Sequence, residues 1–118
     1  MSSAADDRIR KYEEAYAELR RELAQVGFLW VGTVIHQTAI CGKTTCACRT
    51  DKARRHGPYY VWTRKIRGKT VTRMLSESEG TLYTEWIRNR RRLDRAIRKM
   101  MSISKHLAPL LLRRSHSP

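Results

Sequence analysis

Apolar residues near the start of the chain recur at alternating intervals of three and four positions. This spacing is typical of the buried stripe of an amphipathic or coiled-coil helix, and it predicts a helix over residues 6–26. Asp6 and Asp7 suit the positive N-terminal end of the helix dipole, and Gly27 is placed where the helix is expected to stop. The stripe consists of Ile9, Tyr12, Tyr16, Leu19, Leu23 and Val26.

The next stretch, residues 28–75, has the composition of a small sheet. Residues 28–40 are rich in β-branched and aromatic side chains and predict a strand. Tyr59–Ile66 and Thr70–Leu75 predict a hairpin whose turn lies at Arg67-Gly68-Lys69, where glycine supplies the positive φ of a tight turn. Pairing of the first strand with either arm would give a three-stranded antiparallel sheet.

A second long helix is predicted to begin where the hairpin ends. Ser76 and Glu79 have the spacing of a capping box, and the helical pattern extends over residues 76–108. Pro109 predicts an end near Leu107, followed by a disordered tail at 109–118. The predicted apolar stripe contains Leu82, Trp86, Leu93, Ile97, Met100, Leu107 and Leu111, with Arg90 and Ser104 between them.

Together these patterns predict an α+β fold in which a long N-terminal helix, a three-stranded antiparallel sheet with a Cys/His loop, and a long C-terminal helix form one domain, 1–118. A length of 118 residues suits one domain with a modest core.

Four potential metal ligands lie between the first predicted strand and the hairpin. Cys41, Cys46, Cys48 and His56 follow the pattern C-x4-C-x-C-x7-H, and thiolate and imidazole are the ligands that tetrahedral zinc prefers. The pattern therefore predicts a structural zinc site. The alternatives are a loop of reduced thiols in which His56 is a turn residue, or a reactive thiol pair. His36 is the reserve fourth ligand.

The high positive charge of the chain indicates what kind of partner it binds. The 25 Lys and Arg residues against 11 Asp and Glu give a net charge of +14, which favours a polyanion such as DNA or RNA. No apolar run approaches the roughly 18 residues of a spanning helix, so a membrane partner is not expected. Clustered, odd-numbered cysteines and the absence of a signal-like N-terminus predict a cytoplasmic protein.

The positive residues concentrate in the hairpin and on the second helix. Tyr59, Tyr60 and Trp62 are interleaved with the hairpin cations, a combination suited to gripping phosphates and stacking on bases, although Trp62 equally suits a core position. The helical cations are spaced to form one stripe. The predicted nucleic-acid contacts are Arg64, Lys65, Arg67, Lys69, Arg88, Arg92, Arg95 and Lys99.

Several of these motifs together resemble a family of short, uncharacterised bacterial and archaeal proteins. The resemblance covers about residues 41–92 and implies the metal loop, the hairpin and the helix that follows. It also implies a loose association with mobile elements and phages. The motifs are Cys41-Gly42-Lys43, Cys46-x-Cys48, His56-Gly57-Pro58-Tyr59-Tyr60 and Gly68-Lys69-Thr70.

The sequence thus favours a zinc-containing, nucleic-acid-binding accessory protein. The alternative is a helical interaction module that pairs with a second copy or with an acidic protein partner. No phosphate loop, Ser/His/Asp set or paired-carboxylate motif is present, and a closed Cys3His site leaves no position for water, so catalysis is not expected.

Overall fold

The fold is described by a computed structural model covering residues 3–115. Helix α1 spans Ala4–Ala24, strand β1 Thr33–Ala39, strand β2 His56–Ile66, strand β3 Lys69–Leu75 and helix α2 Glu77–Ser115. Short 3-10 turns at Ala47–Arg49 and Lys52–Arg54 lie between β1 and β2. The predicted α+β class is confirmed, with two long helices and one three-stranded antiparallel sheet.

The chain divides into two compact units, and helix α2 contributes to both. The β unit is Phe28–Arg90; the helical unit consists, among the described residues, of 3–27 and 91–115. The expectation of a single domain over 1–118 stays a prediction.

Strand order in the sheet is β1-β2-β3, with both pairings antiparallel. The predicted hairpin is confirmed, and its turn is tighter than expected, because Ile66 pairs with Lys69 and only Arg67 and Gly68 remain unpaired. Both turn residues have positive φ, 51° and 80°, as a type I′ turn requires. Such a turn matches the twist of the strands it joins.

Aromatic side chains form most of the core of the β unit. Trp62, Leu75 and Ile87 are buried, and Trp30, Val34, Tyr60 and Tyr83 pack against them. Trp62 is 2% exposed and donates its indole N–H to the Val31 carbonyl at 2.9 Å, so its predicted core position is confirmed.

Residues 28–32 do not extend the first strand, contrary to prediction. Trp30 donates its backbone N–H to the Trp86 carbonyl at 3.3 Å, and the Asn89 amide donates to the Phe28 carbonyl at 2.9 Å. Gly32, with φ of 93°, separates this segment from β1. The β-branched and aromatic residues of this segment predict a strand, but the rings of Phe28 and Trp30 pack against Trp86 and Tyr83 of helix α2.

In the helical unit, α1 runs antiparallel to the C-terminal part of α2. Tyr12 stacks on His106, with ring centroids 6.3 Å apart, and Leu19 shares a groove with Lys99. Ile9 is buried, and the rest of the predicted α1 stripe is partly buried. Ser3 and Asp6 form a capping box, so α1 begins at Ala4, two residues before the predicted start.

The predicted α2 stripe is displaced by one position in places. Leu82, Ile97 and Leu111 are 41%, 39% and 37% exposed, whereas Ile87, Ala96 and Leu110 are buried. Ala96, rather than the predicted Ile97, is the buried residue at its turn. Helices approach closely at small residues, and a strict 3.5-residue repeat drifts along a straight helix of this length.

Helix α2 also continues through Pro109 to Ser115, past the predicted end at 108. A proline removes one helical hydrogen bond, yet Leu110 directly after it is buried at 6% exposure, and this packing supports continuation. Residues 116–118 of the predicted tail lie outside the described residues.

Candidate metal centre

The four predicted ligands converge in the β unit. The Sγ atoms of Cys41, Cys46 and Cys48 and a ring nitrogen of His56 all lie within 4.8 Å of one another. Cys48 is fully buried, and Cys41 and Cys46 are partly buried. The arrangement could hold a metal ion.

Two of the six distances between the ligand atoms are close to those around a tetrahedral ion, and all six are within 4.8 Å. Cys41 Sγ lies 3.5 Å from Cys48 Sγ, and Cys46 Sγ lies 3.4 Å from His56 Nε2. Ligands of tetrahedral zinc, with bonds of about 2.3 Å to sulfur and about 2.0 Å to nitrogen, are separated by about 3.8 Å (S–S) and about 3.6 Å (S–N). Both measured distances agree with these values to within a few tenths of an ångström.

Backbone hydrogen bonds hold the loop around the sulfur atoms. The Cys41 N–H donates to Cys48 Sγ at 3.4 Å, and the Cys46 N–H donates to the Lys43 carbonyl at 3.3 Å. Arg49 joins the two halves of the loop, because its side chain donates to the carbonyls of Lys43 at 3.0 Å and Cys41 at 3.5 Å. The second half of the loop is ordered by Asp51, whose carboxylate accepts from the Ala53 N–H at 3.0 Å.

A β-bulge brings His56 to the cluster. Gln37 pairs with Tyr59 but Ala39 pairs with His56, so β2 has one more residue than β1 between these two pairs. An offset of one residue moves a side chain to the opposite face of a strand, and so His56 leaves the alternation of Tyr60 and Trp62. Gly57, with φ of 100°, lies in the bulge.

The environment of the thiols differs. Backbone donation from Cys48, together with hydrogen bonds from His56 and the other two thiols, lowers the pKa of Cys46 to about 6. For Cys48 the backbone N–H of Cys41 acts to lower the pKa, but burial and the two neighbouring thiols outweigh it, and the net shift is upward. One readily formed thiolate beside a buried thiol is suited to binding a cation, which would stabilise both as thiolates.

His36, the reserve ligand, lies elsewhere. Its ring stacks on Tyr60, with centroids 4.2 Å apart and planes 5° from parallel. Within residues 3–115, the potential metal ligands that lie together are the preferred four, Cys41, Cys46, Cys48 and His56, without His36.

The predicted hairpin contacts divide into two groups. Lys65, Arg67 and Lys69 are exposed. Arg64 instead folds back over the Trp62 ring, with its guanidinium carbon 3.9 Å from the centroid, so it is a cation–π partner of the core.

The predicted helical contacts are all exposed, but they belong to different units. Arg88 lies in the β unit and borders a cleft with Tyr60 and Glu85. Arg92, Arg95 and Lys99 lie in the helical unit, where Lys99 shares a groove with Glu18 and Glu22 of α1. Those carboxylates compete with phosphate for Lys99.

Sequence reasoning missed the residues that support the cluster. Arg49 and Asp51 were not among the predicted site residues, although both order the loop that carries the three cysteines. The adjacent His-Gly-Pro string was the available signal for the bulge, since a glycine of positive φ beside a proline interrupts regular strand pairing.

Comparison with known proteins identifies the family. The chain belongs to DUF6788, a domain of unknown function whose model matches residues 3–88. The match is to an uncharacterised family and includes α1, which the motif resemblance did not cover. No curated protein and no solved structure matches the chain. Within the described residues, neither helix is long and apolar enough to cross a membrane.

Proposed function

We propose that the protein is a non-catalytic, nucleic-acid-binding accessory protein whose β unit is stabilised by a structural zinc ion. Zinc is proposed because three sulfurs and one imidazole suit it better than the oxygen-preferring Mg²⁺ or Ca²⁺. Reduced, metal-binding thiols also support a cytoplasmic location. The link to mobile elements suggested by the motif resemblance stays a prediction.

The observation that supports nucleic-acid binding is the excess of positive charge in the cysteine loop and the hairpin. Residues 43–73 contain ten Lys and Arg residues and a single acid, Asp51. That acid is already engaged, because it caps its own turn and lies 3.5 Å from the Arg54 guanidinium. Four of the ten cations make a hydrogen bond, an ion pair or a cation–π contact with the protein: Arg49, Arg54, Arg64 and Arg73.

The exposed cations are suited to phosphate rather than to base-specific contact. Lysine and arginine side chains on a surface release condensed counterions when they neutralise phosphates, which gives affinity without sequence selectivity. The proposed contacts are Lys65, Arg67 and Lys69 of the hairpin with Arg88, Arg92 and Arg95 of α2, and Lys99 makes a weaker one.

Salt dependence of binding tests the proposal. For fluorescently labelled duplex DNA, log K should fall linearly with log salt by about 0.9 per phosphate contacted. Arg92→Glu/Arg95→Glu should weaken binding to all sequences alike, whereas Arg20→Glu/Arg21→Glu, an equal charge change on acid-rich α1, should affect it much less. Absence of binding to DNA and RNA at low salt would refute the proposal.

A second function is favoured by one observation in the helical unit. Met101 and Leu112 are 59% and 61% exposed, and Ile97 is 39% exposed. Spacings of four and eleven place all three on one face of α2. This apolar stripe supports a helical interaction module that pairs with a second copy or another protein.

Sedimentation equilibrium at tens of micromolar tests this alternative. Self-association should be lost in Met101→Asp and retained in Ser102→Asp, which adds the same charge beside the stripe. A strict monomer that also captures no partner would leave the stripe without a function. Leu19→Asp/Leu23→Asp should unfold the helical unit instead, because both side chains are half-buried and Leu19 lines the groove that α1 shares with α2.

A further inference from the structure

The β2–β3 hairpin extends beyond the third strand. The last pair between β1 and β2 is Thr33 with Thr63. Pairing of β2 with β3 continues through Arg64–Val71, Lys65–Thr70 and Ile66–Lys69. Residues 64–71 therefore form a two-stranded ribbon that closes in the type I′ turn at Arg67-Gly68, and we call this segment the ribbon.

The ribbon carries positive charge and no acid. Lys65, Arg67 and Lys69 are exposed around its tip, while Arg64 at its base is held over Trp62. Lys65 and Lys69 lie on opposite faces of the ribbon, so they can approach a phosphate backbone on either side of the tip.

One face of the ribbon also exposes aliphatic groups. Ile66 is 43% exposed and Val71 is 36% exposed. Ile66 pairs with Lys69 and Val71 with Arg64, so the two aliphatic side chains lie diagonally on one face. Lys65 and Thr70, as the intervening pair, lie on the other face.

We propose that the ribbon enters the major groove of B-form DNA. This inference rests on the proposed nucleic-acid binding and adds the form of duplex and the groove. The major groove, about 12 Å wide, admits a two-stranded β-ribbon, whereas the narrow deep groove of an RNA duplex does not. Lys65, Arg67 and Lys69 would contact the phosphates at the groove edges, and Ile66 and Val71 would contact thymine methyl groups.

The experiment compares four forms of one 20-base-pair duplex in fluorescence anisotropy. They are plain DNA, DNA with glucosylated 5-hydroxymethylcytosine filling the major groove, DNA saturated with the minor-groove ligand netropsin, and duplex RNA. We expect binding at least tenfold weaker to the glucosylated DNA and to the RNA than to plain DNA, and within twofold of plain DNA with netropsin.

A charge-reversal pair locates the contact on the ribbon. Lys65→Glu/Lys69→Glu should lower the salt slope on plain DNA by about two phosphate contacts, roughly 1.8 in log units. Lys11→Glu/Arg20→Glu on α1 makes the same charge change and should keep the slope. An unchanged tryptophan fluorescence spectrum checks that the ribbon variant is folded.

The outcomes separate the two proposals. Binding that tolerates glucosylation, is displaced by netropsin, or is equal on duplex RNA overturns the ribbon inference and leaves nucleic-acid binding intact. A salt slope unaffected by the ribbon variant overturns it as well. No binding to any of the four duplexes refutes both.

Discussion

The two units of this chain reach stability by different means. The β unit packs two tryptophans and two tyrosines in one core cluster and gathers four potential metal ligands at one site. The helical unit has two antiparallel helices, with one buried side chain on α1, Ile9, and two on α2, Ala96 and Leu110. A short sheet obtains stability from large rings and cross-links, whereas a helix pair depends on many modest contacts along its length.

The tryptophans make this comparison measurable. Trp30, Trp62 and Trp86 all lie in the β unit, so tryptophan fluorescence reports that unit alone. Circular dichroism at 222 nm reports mainly α1 and α2. The two signals, followed in the same melt, show which unit a change affects.

Removal of the proposed zinc ion should have the largest effect. Binding of zinc to structural sites is worth about 10–16 kcal/mol in small peptides, which exceeds the stability of most small domains. A strong chelator or Cys48→Ser should therefore abolish the cooperative fluorescence transition while much of the helical signal persists. Thr45→Ser, an exposed change in the same loop, should behave as wild type. A metal-free protein with an unchanged fluorescence melt would contradict the zinc proposal.

Truncation of Ile9 should come next. Ile9 is 1% exposed in the helical unit, and removal of such a buried side chain costs about 2–5 kcal/mol. Lys11→Ala, an exposed truncation on the same helix, is the matched control. We expect Ile9→Ala to lower the midpoint of the circular-dichroism melt more than that of the fluorescence melt, because Ile9 packs in the helical unit. An equal shift of both midpoints would show that the two units unfold as one cooperative domain.

A smaller effect is expected from Gly80→Ala in the β unit. A Cβ at position 80 would overlap the Tyr60 ring, and an overpacked contact costs about 1–3 kcal/mol. Gly42→Ala is the control, since a Cβ there meets nothing within 4 Å. Urea unfolding followed by fluorescence should give a lower midpoint for Gly80→Ala alone. Equal midpoints would indicate that Tyr60 moves aside at little cost.

The smallest effect concerns the start of α2. Donation from the Ser76 backbone N–H, aided by Arg73, lowers the pKa of Glu79 below its usual 4.5. A carboxyl with a lowered folded-state pKa stabilises the fold above about pH 4.5, and that stability is lost as pH falls through the folded value. Glu79→Gln should therefore be less stable than wild type at pH 7, and the difference should shrink in acid. Glu77→Gln, which removes the same charge from the same turn, is the matched control.

Features decided within a few residues were predictable from sequence. The Ser76–Glu79 capping box, the hairpin turn at Gly68 and the spacing of the three cysteines and His56 all depend on local geometry. The α1 stripe was predictable for the same reason, because helical periodicity is a property of the chain itself. The α+β class followed from the order of these elements.

Features that depend on distant packing were not predictable. Only the tertiary structure places residues 28–32 along α2, since the same aromatic residues suit a strand or a helix-packing segment. Only the tertiary structure shows that Ala96 belongs to the buried stripe of α2. It also shows that the helix continues past Pro109, because burial of Leu110 outweighs the local penalty of proline.

The cations show the same division. The sequence by itself determined the net charge, which is a sum over the residues. It also determined the four potential metal ligands, which follow from their spacing along the chain. The tertiary structure decided which charges are engaged: Arg49 in the metal loop, Arg64 on Trp62, and Arg73 beside Glu79 at 3.2 Å. Whether a cation is available depends on how the folded chain places its neighbours, because such contacts leave no periodicity in the sequence.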